Sequence, residues 1–185
     1  WPFGGPWVAP ADGSSKLVLQ DERLAGEPTG MKVKRAAPGD EGLVVDPYSA
    51  AALERYLAPF SAAFERFPRG LIRSQFHDSF EYYQAECSPA LPATFRQLHG
   101  YDVQAFTPEL MGKRAGDPDV IARVRSDYRE TLAKLHFDYL KTWIRWSHER
   151  GFRVRNQSHG APANLLDLYG AVDLPETETF GSTPF

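Results

Sequence analysis

Residues 117–157 read DPDVIARVRSDYRETLAKLHFDYLKTWIRWSHERGFRVRNQ, a segment that joins a long helical pattern to a short β-prone run. Asp117 suits the N-cap and Pro118 the first turn of a helix, and apolar residues then recur at helical spacing up to Gly151. Residues 152–155 have strand character, and the polar residues 156–160 follow them. The segment therefore predicts a long helix, then a strand, then a polar cluster at the carboxyl end of that strand.

The same passage from a short strand into polar or acidic residues occurs four times along the chain. The four predicted strands are residues 42–46, 71–76, 152–155 and 172–180, and helical sequence follows the first three, at 50–64, 89–98 and 164–169. Alternation of strands and helices favours a parallel sheet, whose strands have their carboxyl ends at one edge. We therefore expect an α/β fold with its chemistry at that edge.

The domain organisation is simple. The chain has 185 residues, enough for one domain with a sizeable core. Residues 1–42 are rich in Gly and Pro and contain two short β-prone runs, whereas residues 43–185 carry the βα pattern, so we expect 1–185 to be part of one domain. The chain starts with Trp1 rather than Met and its last residues do not resemble a capped helix, so we expect a fragment at both ends.

The composition excludes several classes of protein. Hydrophobic residues make up 42% and charged residues 24%, without a run of about 18 apolar residues, which indicates a globular chain with no membrane span. Lys and Arg number 21 against 24 Asp and Glu, so no basic surplus favours a nucleic acid partner. The single cysteine, Cys87, cannot form an intramolecular disulfide and is predicted to be a buried small residue.

Glu81 and Glu178 are the strongest catalytic candidates, since each belongs to the polar end of a predicted strand. Glycoside hydrolysis needs two carboxyl groups in one cleft, a protonated one for the leaving oxygen and an ionised one that activates water or attacks carbon. Burial and neighbouring charges can set such opposite ionisation states. The competing interpretation is that both residues are ordinary surface acids, in a chain that has 24 acids.

His77, Asp78 and His159 combine imidazole and carboxylate groups, which bind divalent cations or act as acid and base. Their spacing matches no metal motif such as His-Glu-x-x-His, so hydrogen-bonded structural or substrate-orienting roles stay open beside the metal. Asn156 and Gln157 can bind sugar hydroxyls or satisfy loop backbone groups.

The aromatic residues divide by position. Tyr82 and Tyr83 lie beside Glu81, where a ring can face a sugar. Trp143 and Trp146 lie on the apolar stripe of the long helix and are predicted to belong to the core. The sequence has neither the Gly-x-Ser-x-Gly motif of acyl transfer nor the spacing of a phosphate-binding loop.

Six motifs occur in an order that resembles glycoside hydrolase family 106, the α-L-rhamnosidase-type enzymes. They are Gly4-Gly-Pro-Trp7, His77-Asp-Ser-Phe-Glu81, Gly100-Tyr-Asp102, Ser126-Asp-Tyr-Arg129, Arg155-Asn-Gln-Ser-His-Gly160 and Pro175-Glu-Thr-Glu178. The resemblance covers nearly the whole chain. It implies a partial (β/α)8 TIM-type barrel, with parallel strands alternating with helices, taken from a longer enzyme that also has β-sandwich domains.

The resemblance also implies a reaction, the inverting removal of terminal α-L-rhamnose from rhamnosides or from plant or bacterial polysaccharides. By motif position Glu81 resembles the general acid and Glu178 the general base, with Glu176 as second choice because the Glu-Thr-Glu repeat leaves the register open. A calcium ion near the substrate is implied without assignable ligands, and no organic cofactor is expected. An extracellular or periplasmic location is implied by the substrates alone. The predicted substrate-binding residues are His77, Asp78, Tyr82, Asn156, Gln157 and His159.

Two departures limit what the resemblance implies. Cys87 stands where the family pattern has the Trp of a Trp-Ser/Thr-Pro motif, which leaves the sugar preference open. A barrel that lacks several strands exposes sheet edges and inner apolar surface, so the chain alone is expected to be inactive or poorly folded. Two alternatives stay open, a non-catalytic carbohydrate-binding remnant and a metal-dependent hydrolase that uses His77, Asp78 and His159.

Overall fold

A computed structural model gives the fold and describes residues 13–20, 23–34, 36, 38–39 and 41–177. The strands of this part of the chain are β1 (Ser15–Gln20), β2 (Arg23–Pro28), β3 (Ser74–His77), β4 (Arg153–Gln157) and β5 (Leu174–Glu176). Its α-helices are α1 (Ala50–Phe64), α2 (Leu91–His99), α3 (Thr107–Leu110), α4 (Pro118–Glu149) and α5 (Leu165–Ala171). A 3-10 helix, Val103–Phe106, precedes α3.

The strands β3, β4 and β5 form a parallel sheet and lie side by side in chain order. β4, α5 and β5 make a βαβ unit, while α2, α3 and α4 all belong to the connection from β3 to β4. The predicted α/β class and parallel sheet are confirmed. Among the strands that the structure describes, β3 and β5 are the outer ones, so these three strands do not close into a barrel.

The predicted strand at residues 42–46 is wrong. Val45 forms an isolated antiparallel bridge with Gly13, and Leu43 forms one with Lys32, so this segment lies against the amino-terminal part of the chain and outside the parallel sheet. The segment ends at Asp46, which is 2% exposed and accepts hydrogen bonds from Ser88 Oγ at 2.8 Å and from a backbone N–H. The apolar run reflects a partly buried loop segment that ends at the buried Asp46.

The amino-terminal part contains an antiparallel hairpin, β1 with β2. The sequence predicted β1 in part but missed β2, because Gly26 and Pro28 weaken its strand signal. Leu24 of β2 exchanges two hydrogen bonds of 2.8 Å with the Gln104 side chain, which attaches the hairpin to the 3-10 helix. Cys87 bridges to β1 and is buried, as predicted.

The long helix α4 organises the core. Its start is fixed by Asp117, whose carboxylate accepts from the Asp119 N–H at 2.8 Å, and Gly151 follows its end at φ +77°. One half of α4 packs against α2 and the hairpin, and the other half packs against α1 and β4. The second contact buries Trp146 with Trp143 beside it, which confirms both as core residues. None of the described helices has the length and apolar character needed to cross a membrane.

Candidate functional site at the strand ends

Side-chain alternation divides the predicted site residues between two faces of the parallel sheet. His77 is in register with Asn156 and Pro175, so these three residues share one face. The His77 ring packs against Tyr139 and Trp143 of α4, with ring centres 5.9 Å apart in both pairs. We call this side of the sheet the helix face.

The opposite side, which we call the open face, carries Phe76, Arg155, Gln157 and Glu176. The Arg155 guanidinium lies 5.1 Å from the centre of the Phe76 ring, and Phe76 is 42% exposed. Solvent therefore reaches the open face, whereas His77 and Asn156, on the helix face, contact the interior of the protein.

His77 and Asn156 start a buried hydrogen-bond chain at the ends of β3 and β4. His77 Nδ1 lies 2.8 Å from Asn156 Oδ1, and Asn156 Nδ2 donates to Ser158 Oγ. Because Oδ1 can only accept, the proton of the neutral ring is on Nδ1 and Nε2 is an acceptor. Nε2 is buried without a hydrogen-bond partner among the described residues. Burial lowers the pKa of His77, which favours the neutral ring.

The loops that follow β3 and β4 are tied to each other. The Phe80 N–H donates to the His159 carbonyl at 2.8 Å. Next to this bond, Gly160 has φ +77°, and a Cβ added there would lie 3.3 Å from the Phe80 carbonyl oxygen. Glycine therefore permits both the left-handed backbone and the close approach. The contact brings the loop of Asp78 and Glu81 beside the loop of His159.

Glu81 is a half-exposed carboxylate with a cationic partner. It forms an ion pair with Lys34, and their side chains are 45% and 52% exposed. The hydrogen bond to Glu81 is the main cause that raises the pKa of Lys34. The same ammonium lies 5.4 Å from the ring centre of Tyr83, which is 60% exposed. Glu81 and Tyr83 thus share one solvent-facing cation, Lys34.

Tyr82 occupies a different environment from Tyr83. Its hydroxyl shares a hydrogen bond with Tyr139, and its ring packs against Phe80 at 5.1 Å between centres. Burial raises the pKa of Tyr82, so it stays a neutral phenol. Of the two adjacent tyrosines, Tyr83 is the one that offers a free ring face to solvent.

The ends of β4 and β5 are joined on the open face by Arg155 and Glu176. Both carboxylate oxygens of Glu176 accept hydrogen bonds from the guanidinium, at 2.5 and 3.1 Å. Gln157 is in register with Glu176, and its Oε1 is buried with no hydrogen-bond partner in the described part of the chain. Glu178, the predicted base, lies outside the described residues. Within them, no hydrogen bond or ion pair links Glu81 to Glu176.

The described strand ends do not assemble a calcium cage by themselves. Calcium takes six to eight oxygen ligands, and three or more carboxylate, imidazole or thiol groups close together would start such a site. His77, Asp78 and His159 do not form such a group, whereas His99, Asp127 and Glu130 do, where α2 meets α4. The described residues therefore assign no ligand set to the implied calcium, which stays a prediction, and no step below involves it.

Sequence reasoning missed Lys34, the partner of Glu81. It lies 47 residues before Glu81, in a loop whose path follows no local pattern, so the sequence contains no signal for this contact. The sequence did not single out Arg155 from its motif. Its neighbour across the sheet, Glu176, is 21 residues away, and strand register alone brings them together.

The fold and site together define an α/β protein with carboxylates, amides and an exposed tyrosine at the carboxyl ends of parallel strands. Residues 22–181 match the profile of a glycoside hydrolase family, family 106, described as alpha-L-rhamnosidase. This match covers most of the chain, and the chain belongs to glycoside hydrolase family 106.

Two relatives of the chain are much longer than the chain itself. The solved structure of a rhamnosidase from Novosphingobium sp. PP1Y is 25% identical, with a TM-score of 0.69 over 79% of this chain. A Formosa agariphila protein named "Putative beta-glucuronidase" is 25% identical over 169 residues, or 88% of this chain. The chain spans 15% of the first protein and 14% of the second.

Proposed function

We propose that the full-length protein is an exo-acting glycosidase that removes terminal α-L-rhamnose with inversion at the anomeric carbon. The observation that carries this proposal is the family match over residues 22–181, and the similarity to a rhamnosidase structure supports it. The partial (β/α)8 barrel over residues 1–185 belongs to the same proposal. Its support is the order of β3, β4 and β5, since successive strands are neighbours in such a barrel.

Glu81 is the proposed general acid. It lies in the loop that the Phe80–His159 hydrogen bond holds beside the end of β4. A general acid has to carry a proton before it acts, whereas Glu81 now holds the Lys34 ammonium. We therefore propose that substrate binding separates Lys34 from Glu81. The protonated Glu81 then donates to the glycosidic oxygen as the bond from that oxygen to the anomeric carbon breaks.

Glu178 is the proposed general base. It takes a proton from water while the water oxygen bonds to the anomeric carbon, and solvent exchange then returns both carboxyl groups to their starting states. Glu176, the second choice, has both carboxylate oxygens engaged by Arg155 and is therefore less free to accept a proton. We assign Glu176 to positioning β5, and with it Glu178 two residues further on.

The predicted sugar-binding residues form two groups, one proposed to contact the sugar and one that positions the loops. Asp78, Gln157 and His159 lie at the strand ends, and Gln157 Oε1, buried without a hydrogen-bond partner among the described residues, is proposed to accept from a sugar hydroxyl. Tyr83 adds an exposed ring on which a sugar can lie. We assign the other predicted binding residues to positioning the loops, because they contact helix α4 or belong to the buried hydrogen-bond chain that starts at His77. These are His77, Tyr82 and Asn156.

The test compares Glu81→Gln and Glu178→Gln in the full-length protein on two α-L-rhamnosides. Loss of the acid should slow an alkyl rhamnoside about 100- to 10,000-fold but a nitrophenyl rhamnoside far less, because nitrophenolate leaves without a proton. Loss of the base should slow both alike. Glu86→Gln, an exposed acid in the same loop, is the matched control. Near-parental rates in both catalytic variants would contradict the assignment.

A second sugar is worth assaying, because one relative is named for glucuronide cleavage. An aryl β-glucuronide supplied to the same preparation decides between the two sugars, and rapid cleavage of it alone would replace rhamnose in the proposal. Absence of turnover on both would favour the non-catalytic carbohydrate-binding remnant. Activity that His77→Ala and chelation both abolish would favour the metal-dependent hydrolase. The calcium ion and the extracellular or periplasmic location stay predictions.

A further inference from the structure

Two of the quoted motifs, Gly100–Asp102 and Ser126–Arg129, have no part in the proposed reaction. They meet where the end of α2 packs against α4, and bring together His99, Asp127 and Glu130. Each of these side chains offers one donor atom, and the three atoms lie within 4.8 Å of one another. Asp127 and Glu130 are three residues apart on α4 and therefore lie on one side of the helix.

The hydrogen bonds around His99 determine which ring nitrogen carries the proton. The Thr131 hydroxyl donates its single hydrogen to the Asp127 carbonyl at 2.8 Å. Thr131 Oγ1 must therefore accept in its 3.2 Å contact with His99 Nε2, and Nε2 carries a proton. The neutral ring then has its lone pair on Nδ1. A metal-binding histidine is commonly fixed in this way, by a hydrogen bond from its other ring nitrogen.

That lone pair points into an acidic surrounding. The His99 side chain is 10% exposed, and Nδ1 lies 3.9 Å from Asp127 Oδ2, too far for a hydrogen bond. Nδ1 of the neutral ring and the carboxylate oxygen are both acceptors, so neither can donate to the other, and a cation between them would bind both. An imidazole acceptor and two carboxylates, with no amide carbonyl among them, are the donor set that zinc-type ions take.

The Asp127 carboxylate is held in place by a further residue. The Tyr101 hydroxyl donates to Asp127 Oδ2 at 2.8 Å. Burial, followed by this hydrogen bond, raises the pKa of Tyr101 to about 12, so the phenol remains a donor at neutral pH. Tyr101 thus orients one oxygen of Asp127 as an outer partner of a ligand does.

We propose that His99, Asp127 and Glu130 bind a divalent transition-metal ion of the zinc type, which joins α2 to α4. Two donors on one zinc ion lie at most about 4.2 Å apart, since each bond is about 2.1 Å. The His99–Asp127 separation already meets this limit, and Glu130 is exposed and can rotate to complete the set. Water would fill the fourth position of the tetrahedron. The site is structural and does not depend on the proposed reaction.

Calorimetric titration of zinc chloride into the tag-free, metal-stripped full-length protein tests the proposal. The Kd for zinc should rise at least 10-fold in His99→Ala and in Glu130→Gln, and about 10-fold in Tyr101→Phe. Because Glu130 is exposed, Glu130→Gln leaves folding intact and keeps the test valid if His99→Ala fails to fold. Zinc should also raise the melting temperature of the parent and not that of Glu130→Gln.

His148→Ala is the matched control. His148 is an exposed histidine that pairs with Asp173 at 2.8 Å. The described residues bring no third metal-ligating group to this pair, so removal of His148 should leave the zinc affinity unchanged. Rhamnoside turnover of Glu130→Gln should equal that of the parent, which separates this site from the proposed catalytic one. Absence of saturable zinc binding, or binding that survives in both His99→Ala and Glu130→Gln, would overturn the proposal.

Discussion

The guanidinium of Arg155 binds both carboxylate oxygens of Glu176, at 2.5 and 3.1 Å, and so joins β4 to β5 on the open face of the sheet. The Arg155 side chain is 43% exposed and that of Glu176 is 28% exposed. In the chain, Glu176 comes two residues before Glu178, the other candidate base. The pair therefore bears on which glutamate acts as the base.

Glu176→Gln distinguishes the two candidate bases. If Glu176 positions β5, this variant should keep more than a tenth of the parental kcat, whereas Glu178→Gln should lose several orders of magnitude. Arg155→Gln should behave like Glu176→Gln, and each should change the free energy of unfolding little, because the pair is partly exposed to solvent. Steady-state kinetics decides the question, and a collapse of kcat in Glu176→Gln would move the base to that residue.

Gly160→Ala probes the contact between the loops that follow β3 and β4. Gly160 and Gly70 both have a left-handed backbone, at φ +77° and +85°, so alanine should cost about 1 kcal/mol at either position. The added Cβ meets the Phe80 carbonyl oxygen at 3.3 Å at Gly160 and nothing within 4 Å at Gly70. Only Gly160→Ala should therefore displace the Glu81 loop and lower rhamnoside turnover. Equal turnover in the two variants would show that this contact does not position Glu81.

Asn156→Ala and Gln157→Ala separate structural support from substrate contact. Asn156 is 2% exposed, and its loss leaves the His77 Nδ1–H without an acceptor, so the free energy of unfolding should fall by about 1–3 kcal/mol. Gln157 Oε1 has no partner to lose within the described residues, so Gln157→Ala should change stability little and raise KM. Urea unfolding and kinetics on the two variants check this, and the reverse pattern would contradict the division of roles.

Acid should destabilise the fold through His136. Burial lowers the pKa of this residue to about 4, while its Nδ1 lies 3.0 Å from the Pro47 carbonyl. The unfolded chain takes up the proton near pH 6.5 and the folded one only near pH 4, so stability is full above about pH 6.5 and falls between these values. The loss amounts to about 3 kcal/mol.

Urea unfolding at pH 7.5 and pH 5.0 measures this dependence. His136→Gln should flatten it, although His77, whose pKa burial also lowers, contributes in the same direction. A pH dependence that is identical in His136→Gln and the parent would refute the role of His136.

The helices and the parallel strands were predictable because their signals are local. The Asp117-Pro118 start, the apolar stripe and Gly151 fix α4 within a few residues. An apolar run alone does not distinguish a strand from a partly buried loop. At residues 42–46 the structure has such a loop, in which Leu43 and Val45 form only isolated bridges. The hairpin strand β2 was missed for the opposite reason, because a Gly and a Pro interrupt its pattern.

The site was predictable in its residue types and less so in its contacts. Polar residues at strand ends led to His77, Asp78 and Asn156, but the sequence did not indicate that His77 packs against α4 and hydrogen-bonds to Asn156 in the interior. That assignment depends on register, which pairs residues about 80 positions apart. The Lys34–Glu81 pair and the grouping of His99 with Asp127 and Glu130 depend on tertiary packing in the same way.

The most direct test of the central claim follows the first-formed product by proton NMR. The full-length protein is mixed with an aryl α-L-rhamnoside, and the anomeric signals are recorded before mutarotation scrambles them. The account predicts that β-L-rhamnose appears first and that the α-anomer grows in later. If α-L-rhamnose appears first, a retaining nucleophile replaces the water-activating base, and the proposed roles of Glu81 and Glu178 are contradicted.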